Sequence, residues 1–147
     1  MSQTYIPVAL SSRQVFAAMR ACEALASSTK ETIGEDDYLK LCEESLEELQ
    51  KAVTKATEND PSATYIPLAL KIDQAAAIRY SCETMAKAIR LLDDPENTSE
   101  EAASVFDSTI ADIDEAVREV DAAVKAARLT RDLWESAIVY GISKSKR

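Results

Sequence analysis

Apolar residues recur at spacings of three and four through most of the chain, and such runs predict amphipathic helices. Leu39, Cys42, Leu46, Leu49, Val53 and Ala56 form one seam; Ala75, Ile78, Cys82, Met85, Ile89 and Leu92 form another. A third passes through Phe106, Ile110, Ile113, Val117, Val120, Val124 and Ala127, and Val15, Met19, Cys22 and Leu25 mark a less regular first helix. Gly34 separates the first two helices, Asn59-Asp60-Pro61 ends the second, and Asp94-Pro95 ends the third. Thr98-x-x-Glu101 has the pattern of a capping box opening the fourth. Short connectors make consecutive helices antiparallel partners. The fold expected is therefore all-α, an antiparallel bundle of two αα-hairpins (four helices) with an amphipathic C-terminal helical extension.

The two hairpins repeat one another. Residues 4–27 align without a gap on residues 64–87, and eleven of the twenty-four positions are identical, among them Thr4/Thr64, Tyr5/Tyr65, Ile6/Ile66, Pro7/Pro67, Leu10/Leu70, Gln14/Gln74 and Cys22/Cys82. Chance would give roughly two. A weaker echo sets Ser45, Leu46, Leu49, Ala52 and Val53 against Thr109, Ile110, Ile113, Ala116 and Val117, so the second connector is four residues longer. We expect a single domain over 1–147, with repeats at 4–56 and 64–120 related by a pseudo-twofold axis.

Two readings of the duplicated Tyr-Ile-Pro segment compete. Ser11-x-x-Gln14 is also a capping-box pattern, which would leave residues 4–10 extended and paired with 64–70 across the axis. Alternatively Thr4 and Thr64 are caps, and Pro7 and Pro67 occupy the first helical turn, where proline is tolerated. A second helix from 36 to 58 would span ~35 Å at ~1.5 Å per residue, against ~25 Å for a first helix starting at Ser12. A start near Tyr5 matches the lengths, so the helical reading is preferred. Beside both stands the possibility that Tyr-Ile-Pro is a ligand-binding or docking motif rather than a repeated helix start with Tyr and Ile stapled onto the bundle.

From Thr98 to Tyr140 neither Gly nor Pro interrupts the pattern. Such a helix would run ~64 Å, far beyond its partners. Thr130-Arg131-Asp132 is the expected break, because Arg131 falls where the seam calls for an apolar residue and Thr130 can cap a new helix. In the extension, 129–143, Leu133, Trp134, Ala137, Ile138 and Tyr140 form one wide apolar face that includes the only Trp. A Trp and a Tyr on an amphipathic segment outside a finished bundle suit an interface; the other reading is a fifth helix folded back over the bundle's end.

Composition narrows the chemistry. There is no His, which excludes Ser-His and Cys-His pairs, His-ligated zinc or haem, and the Glu-x-x-His motif of di-iron bundles. Gly 2, Pro 4 and 5% aromatics argue against a many-stranded fold. Cys22, Cys42 and Cys82 have no metal-ligand spacing and sit at seam positions, as small buried hydrophobes do. No N-terminal run reads as a secretion signal, and no apolar run approaches the ~20 residues a spanning helix needs. The expectation is a cytoplasmic, reduced protein away from membranes.

The net charge of −9 is unevenly placed. Segments 31–50 and 93–121 carry −7 and −10, whereas 1–30, 51–92 and 122–147 carry +2, +2 and +4. The acids lie on the second member of each hairpin, off the seam: Glu43, Glu44, Glu47, Glu48, Asp107, Asp112, Asp114 and Glu115. This excludes a general nucleic-acid binder, which needs a basic surface. The acids are either solvated faces that aid hairpin pairing or a docking face for a basic partner. Glu23 and Glu83 stand in equivalent places, as carboxylates of a di-metal bundle would, but the histidines that complete such sites are missing; no metal or cofactor is expected.

These features favour a non-enzymatic protein–protein interaction bundle of adaptor or inhibitor type, with an acidic flank for a basic partner and a C-terminal hydrophobic interface. Its partner is a protein, a second copy of itself included. The alternative is a small-molecule or metal-ion binding bundle with a site between the repeated segments, using Tyr5, Tyr65, Arg20 and Arg79 as polar contacts.

Overall fold

The computed structural model describes residues 5–31, 36–92 and 98–145, with backbone alone for 28–31, 36–37, 98 and 139–145. Gly34 and Asp94-Pro95, the expected separators, lie outside the described residues, as does the side chain of Thr98 and hence its capping box. The described chain is mostly helical, and its order is β1 (Tyr5–Ser11), α1 (Ser12–Glu31), α2 (Asp36–Asn59), β2 (Tyr65–Lys71), α3 (Ile72–Arg90) and α4 (Thr98–Ser145). It divides into two compact units, Met1–Ala116 and Val117–Arg147.

The segments read as helix starts are strands. β1 and β2 pair antiparallel, with Tyr5 opposite Lys71, Val8 opposite Leu68 and Ser11 opposite Tyr65. Alternation decides this: Ile6, Val8 and Leu10, like Ile66, Leu68 and Leu70, are buried, while their odd-numbered neighbours Tyr5, Pro7, Ala9, Tyr65, Pro67 and Ala69 are exposed. That is the period of a half-buried strand, not of a helix. The Ser12 amide donates to the Thr64 carbonyl at 2.9 Å, which makes the even-numbered pairs of this register the hydrogen-bonded ones. Pro7 and Pro67 therefore fall in non-hydrogen-bonded pairs, where a missing N–H costs the ladder nothing and blunts each open edge. The length comparison misled because the strand takes up the residues the helix was expected to need.

α1 and α3 each begin where the Gln of the repeat reaches back. The Ser11 amide donates to Gln14 Oε1 at 2.8 Å, and the Gln14 amide to Ser11 Oγ at 3.2 Å, a reciprocal capping box. In the second copy Lys71 replaces Ser11; its amide still donates to Gln74 Oε1 at 3.1 Å, and the Gln74 amide turns to Asp73 Oδ1 at 2.8 Å. α2 ends at Asn59, as the Asn-Asp-Pro signal predicts, and Asp60 accepts from both the amide and the hydroxyl of Ser62 on the way to β2. α3 stops at Arg90, so Leu91 and Leu92 are exposed and the seam expected to reach Leu92 ends at Ile89.

In the first unit α1 packs on α2 and α3, and α2 also packs on α3 and β2. The α1 and α3 surfaces buried there are small: Ala18, Ala21, Cys22 and Ala26 on one, Ala75, Ser81, Cys82 and Ala86 on the other. Small side chains let helix axes approach closely, while Val15, Leu49, Ile78 and Ile113 supply bulk. Residues of α4 up to Ala116 belong to this unit and are tied by polar contacts. Arg90 binds Glu100 and Asp107, and Arg79 binds Asp114 at 2.7 Å, so contacts climb α4 as they descend α3. Gln14 Nε2 donates to Ser108 Oγ and Asp112 Oδ2 from α1.

The break expected at Thr130-Arg131-Asp132 does not occur: α4 is a single helix over Thr98–Ser145. Thr130 does not cap a new helix; its hydroxyl donates back to the Ala126 carbonyl at 2.9 Å, which satisfies it inside a continuous helix.

Candidate interaction surfaces

Every side chain from Asp121 through Ile138 is exposed. Within that stretch Leu129, Leu133, Trp134 and Ile138 are exposed by 62%, 63%, 67% and 57%. Ala137 is exposed with them, and the side chain of Tyr140 lies outside the described ones. Helical spacing puts these residues on one broad flank of α4, while Val117 and Val120 upstream are half-buried. Isolated scattered apolar residues are ordinary on a surface, but a run of large ones on one helix face is not.

The eight acids singled out divide by use. On α4, Asp107 is taken by Arg90, Asp114 by Arg79 and Asp112 by Gln14, all within the first unit. The hydrogen bond and charge of Asp114 raise the Arg79 guanidinium above its ordinary range. Those of Glu100 and Asp107 raise Arg90 in the same way, while Arg90 holds Glu100 below the ordinary carboxylate range. On α2, Glu47 and Glu48 approach Lys51 at 3.3 and 3.9 Å, and Glu43 and Glu44 are exposed. Glu115 is exposed on α4. Asp107, Asp112 and Asp114 of α4 thus hold the bundle, while Glu115 on α4 and Glu43 and Glu44 on α2 face outward.

The four residues considered for a site between the repeats are not brought together. Tyr5 and Tyr65 lie at opposite ends of the ribbon, ~20 Å apart along it, both exposed. Arg79 is occupied by Asp114 and Glu83. Arg20 lines a groove among α1, α3 and α4 that spacing alone could not have revealed.

A second feature missed from sequence is a polar knot in the core. Tyr38 OH lies 3.4 Å from Ser81 Oγ, and the Tyr38 ring meets Tyr80 edge-on at 5.6 Å between centroids. Cys22, Cys42 and Cys82 are all free thiols and fully buried. Burial pushes Cys22 and Cys82 up to about 12, so both stay protonated and unreactive at neutral pH. Burial likewise raises the Tyr38 phenol, against the lowering effect of its bond to Ser81. Ser45 Oγ, on the same face of α2 as Cys42, is buried without a hydrogen-bond partner.

Among the described residues no helix is long and apolar enough to cross a membrane. No group of three or more Cys, Asp or Glu side chains among them is placed to hold a metal ion. Comparison of the chain with protein-family models, curated proteins and solved structures finds no match.

Proposed function

We propose that the chain is a non-enzymatic interaction protein of adaptor or inhibitor type, built from two copies of a strand–helix–helix unit, which associates through the apolar flank of its C-terminal helix. The observation that carries this is the unbroken exposure of residues 121–138 together with the large apolar side chains of Leu129, Leu133, Trp134 and Ile138 there. Most helical stability in proteins comes from burying an apolar face, and this stretch buries none within the described chain. A second copy of the chain is the simplest partner, because residues 122–147 carry +4 and the rest of the chain is strongly acidic. The acidic α2 flank, with Glu43, Glu44, Glu47 and Glu48, would then steer a basic client to the assembled protein.

The duplicated architecture supports this reading indirectly. The second repeat ends at residue 120, and the exposed stretch 121–138 lies beyond it. Hydrogen exchange tests the proposal. Amides of 121–138 are expected to be protected at concentrations where the protein is assembled and to exchange freely on dilution. Protection independent of concentration contradicts it.

A further inference from the structure

The groove that contains Arg20 is about 580 Å³ in volume, within the range of small-molecule sites, and lies wholly among residues of the first unit. Its floor is apolar, formed by Phe16 of α1, Met85 and Ile89 of α3, and Ala102 and Phe106 of α4. Its polar groups are Arg13 and Arg20, and no acid lines it, although the chain has 26 Asp and Glu. Among the described residues neither arginine has a hydrogen-bond or ion-pair partner, whereas Arg79 and Arg90 are each held by two carboxylates. Arg13 also borders a shallow depression containing Glu101; Arg20 has no acid beside it in either lining.

Two of the groove's residues stand where the other copy has tyrosines. At the offset of 60 that relates α1 to α3, Arg20 corresponds to Tyr80; at the offset of 64 that relates α2 to α4, Ala102 corresponds to Tyr38. In the other half of the molecule those two tyrosines meet edge-on, with Tyr80 54% exposed. Here a methyl group and an arginine replace the two rings. An aromatic pair thus stands at the positions of one half that in the other are an alanine and an arginine, both lining the groove.

We propose that this groove binds a long-chain carboxylate, its head on the Arg20 guanidinium and its tail along Phe16, Met85, Ile89 and Phe106. An apolar trough excludes strongly hydrated ligands, and an arginine fork free of competing acids pairs with a carboxylate. No residue of the C-terminal flank lines the groove.

Calorimetric titration of the full chain with dodecanoate, below its micelle concentration, tests the assignment, with dodecyltrimethylammonium and hexanoate as head and tail controls. Dodecanoate is expected to bind, and both controls to bind at least ~10-fold more weakly. Arg20→Gln, at an exposed position that should not affect folding, is expected to weaken dodecanoate by ~10-fold. Ala102→Tyr, which puts into the groove the side chain of its repeat equivalent Tyr38, is expected to abolish binding, and Trp134→Ala to leave it unchanged. No dodecanoate binding, equal binding of the cationic analogue, or full affinity in Arg20→Gln overturns the proposal. Loss of binding in Trp134→Ala also overturns it, by placing the ligand on the C-terminal face.

Discussion

Val8 stands directly opposite Leu68 in the ribbon, and the two are the same position of the duplicated segment, sixty residues apart. A residue paired with its own equivalent marks the axis between two copies. Every other pair then occurs twice: Ile6 faces Leu70, and Leu10 faces Ile66. Truncations at equivalent places should therefore cost alike. Leu10 and Leu70 are both almost fully buried, so Leu10→Ala and Leu70→Ala are each expected to lose ~2–5 kcal/mol in urea denaturation, and to differ from one another by less than ~1 kcal/mol. A large loss at one site with a negligible loss at the other would mean that the ribbon is not shared equally.

The two helix starts differ in one atom that matters. Ser11 supplies an oxygen to the Gln14 amide, and Lys71 has none to offer. Ser11→Ala is expected to cost ~0.5–2 kcal/mol. Lys71→Ala should cost less than ~0.5 kcal/mol, and thermal unfolding of the two variants separates the cases.

Ser45 is a cost the core carries. Its hydroxyl is fully buried and unpartnered, whereas its counterpart Thr109 bonds back to the Val105 carbonyl at 2.8 Å. Ser45→Ala removes the unpaired group at almost constant volume and is expected to stabilise by ~1 kcal/mol. Thr109→Ala, which removes a satisfied hydroxyl and a methyl, should destabilise.

The thiols impose a pH limit on the alkaline side. Cys22 and Cys82 ionise near 9.0 when unfolded and at about 12 in the fold. A group whose folded value is raised contributes its full stability below the unfolded value and loses it as pH rises toward the folded one. Between pH 9 and 12 the buried thiols should therefore remove stability progressively as pH rises. Cys82→Ala is expected to reduce that slope in denaturation measured across this window. At the acid end the sign reverses: the Glu100 value is lowered by Arg90, so its contribution is present above about pH 4.5 and fades as pH falls further.

Much of the bundle was legible in the sequence because seams of period 3.6 and a gapless repeat are both local signals. Leu49, Ile78, Cys82 and Ile113 were on seams and are core. The strands were misjudged although Ile6, Val8 and Leu10 alternate, because a seven-residue segment containing a proline satisfies two patterns and only pairing with β2 chooses between them. Arg131 and Thr130 suggested a break, yet an exposed helix face tolerates an arginine on its seam, since no partner in the described chain demands an apolar residue there. The apolar flank at Leu133, Trp134, Ala137 and Ile138 was readable from spacing. The groove at Arg20 was not, because its lining comes from three helices, with Arg20 on α1, Met85 on α3 and Phe106 on α4, and no spacing within one helix brings these together.

The role proposed for the C-terminal flank is to join one chain to another. Size-exclusion chromatography with light scattering, on the wild type and Trp134→Ala at micromolar concentration, tests it most directly. A dimer or larger species that the substitution dissociates without loss of helicity is expected. A mass of 16.1 kDa for both proteins, or an assembly indifferent to Trp134→Ala, would contradict it.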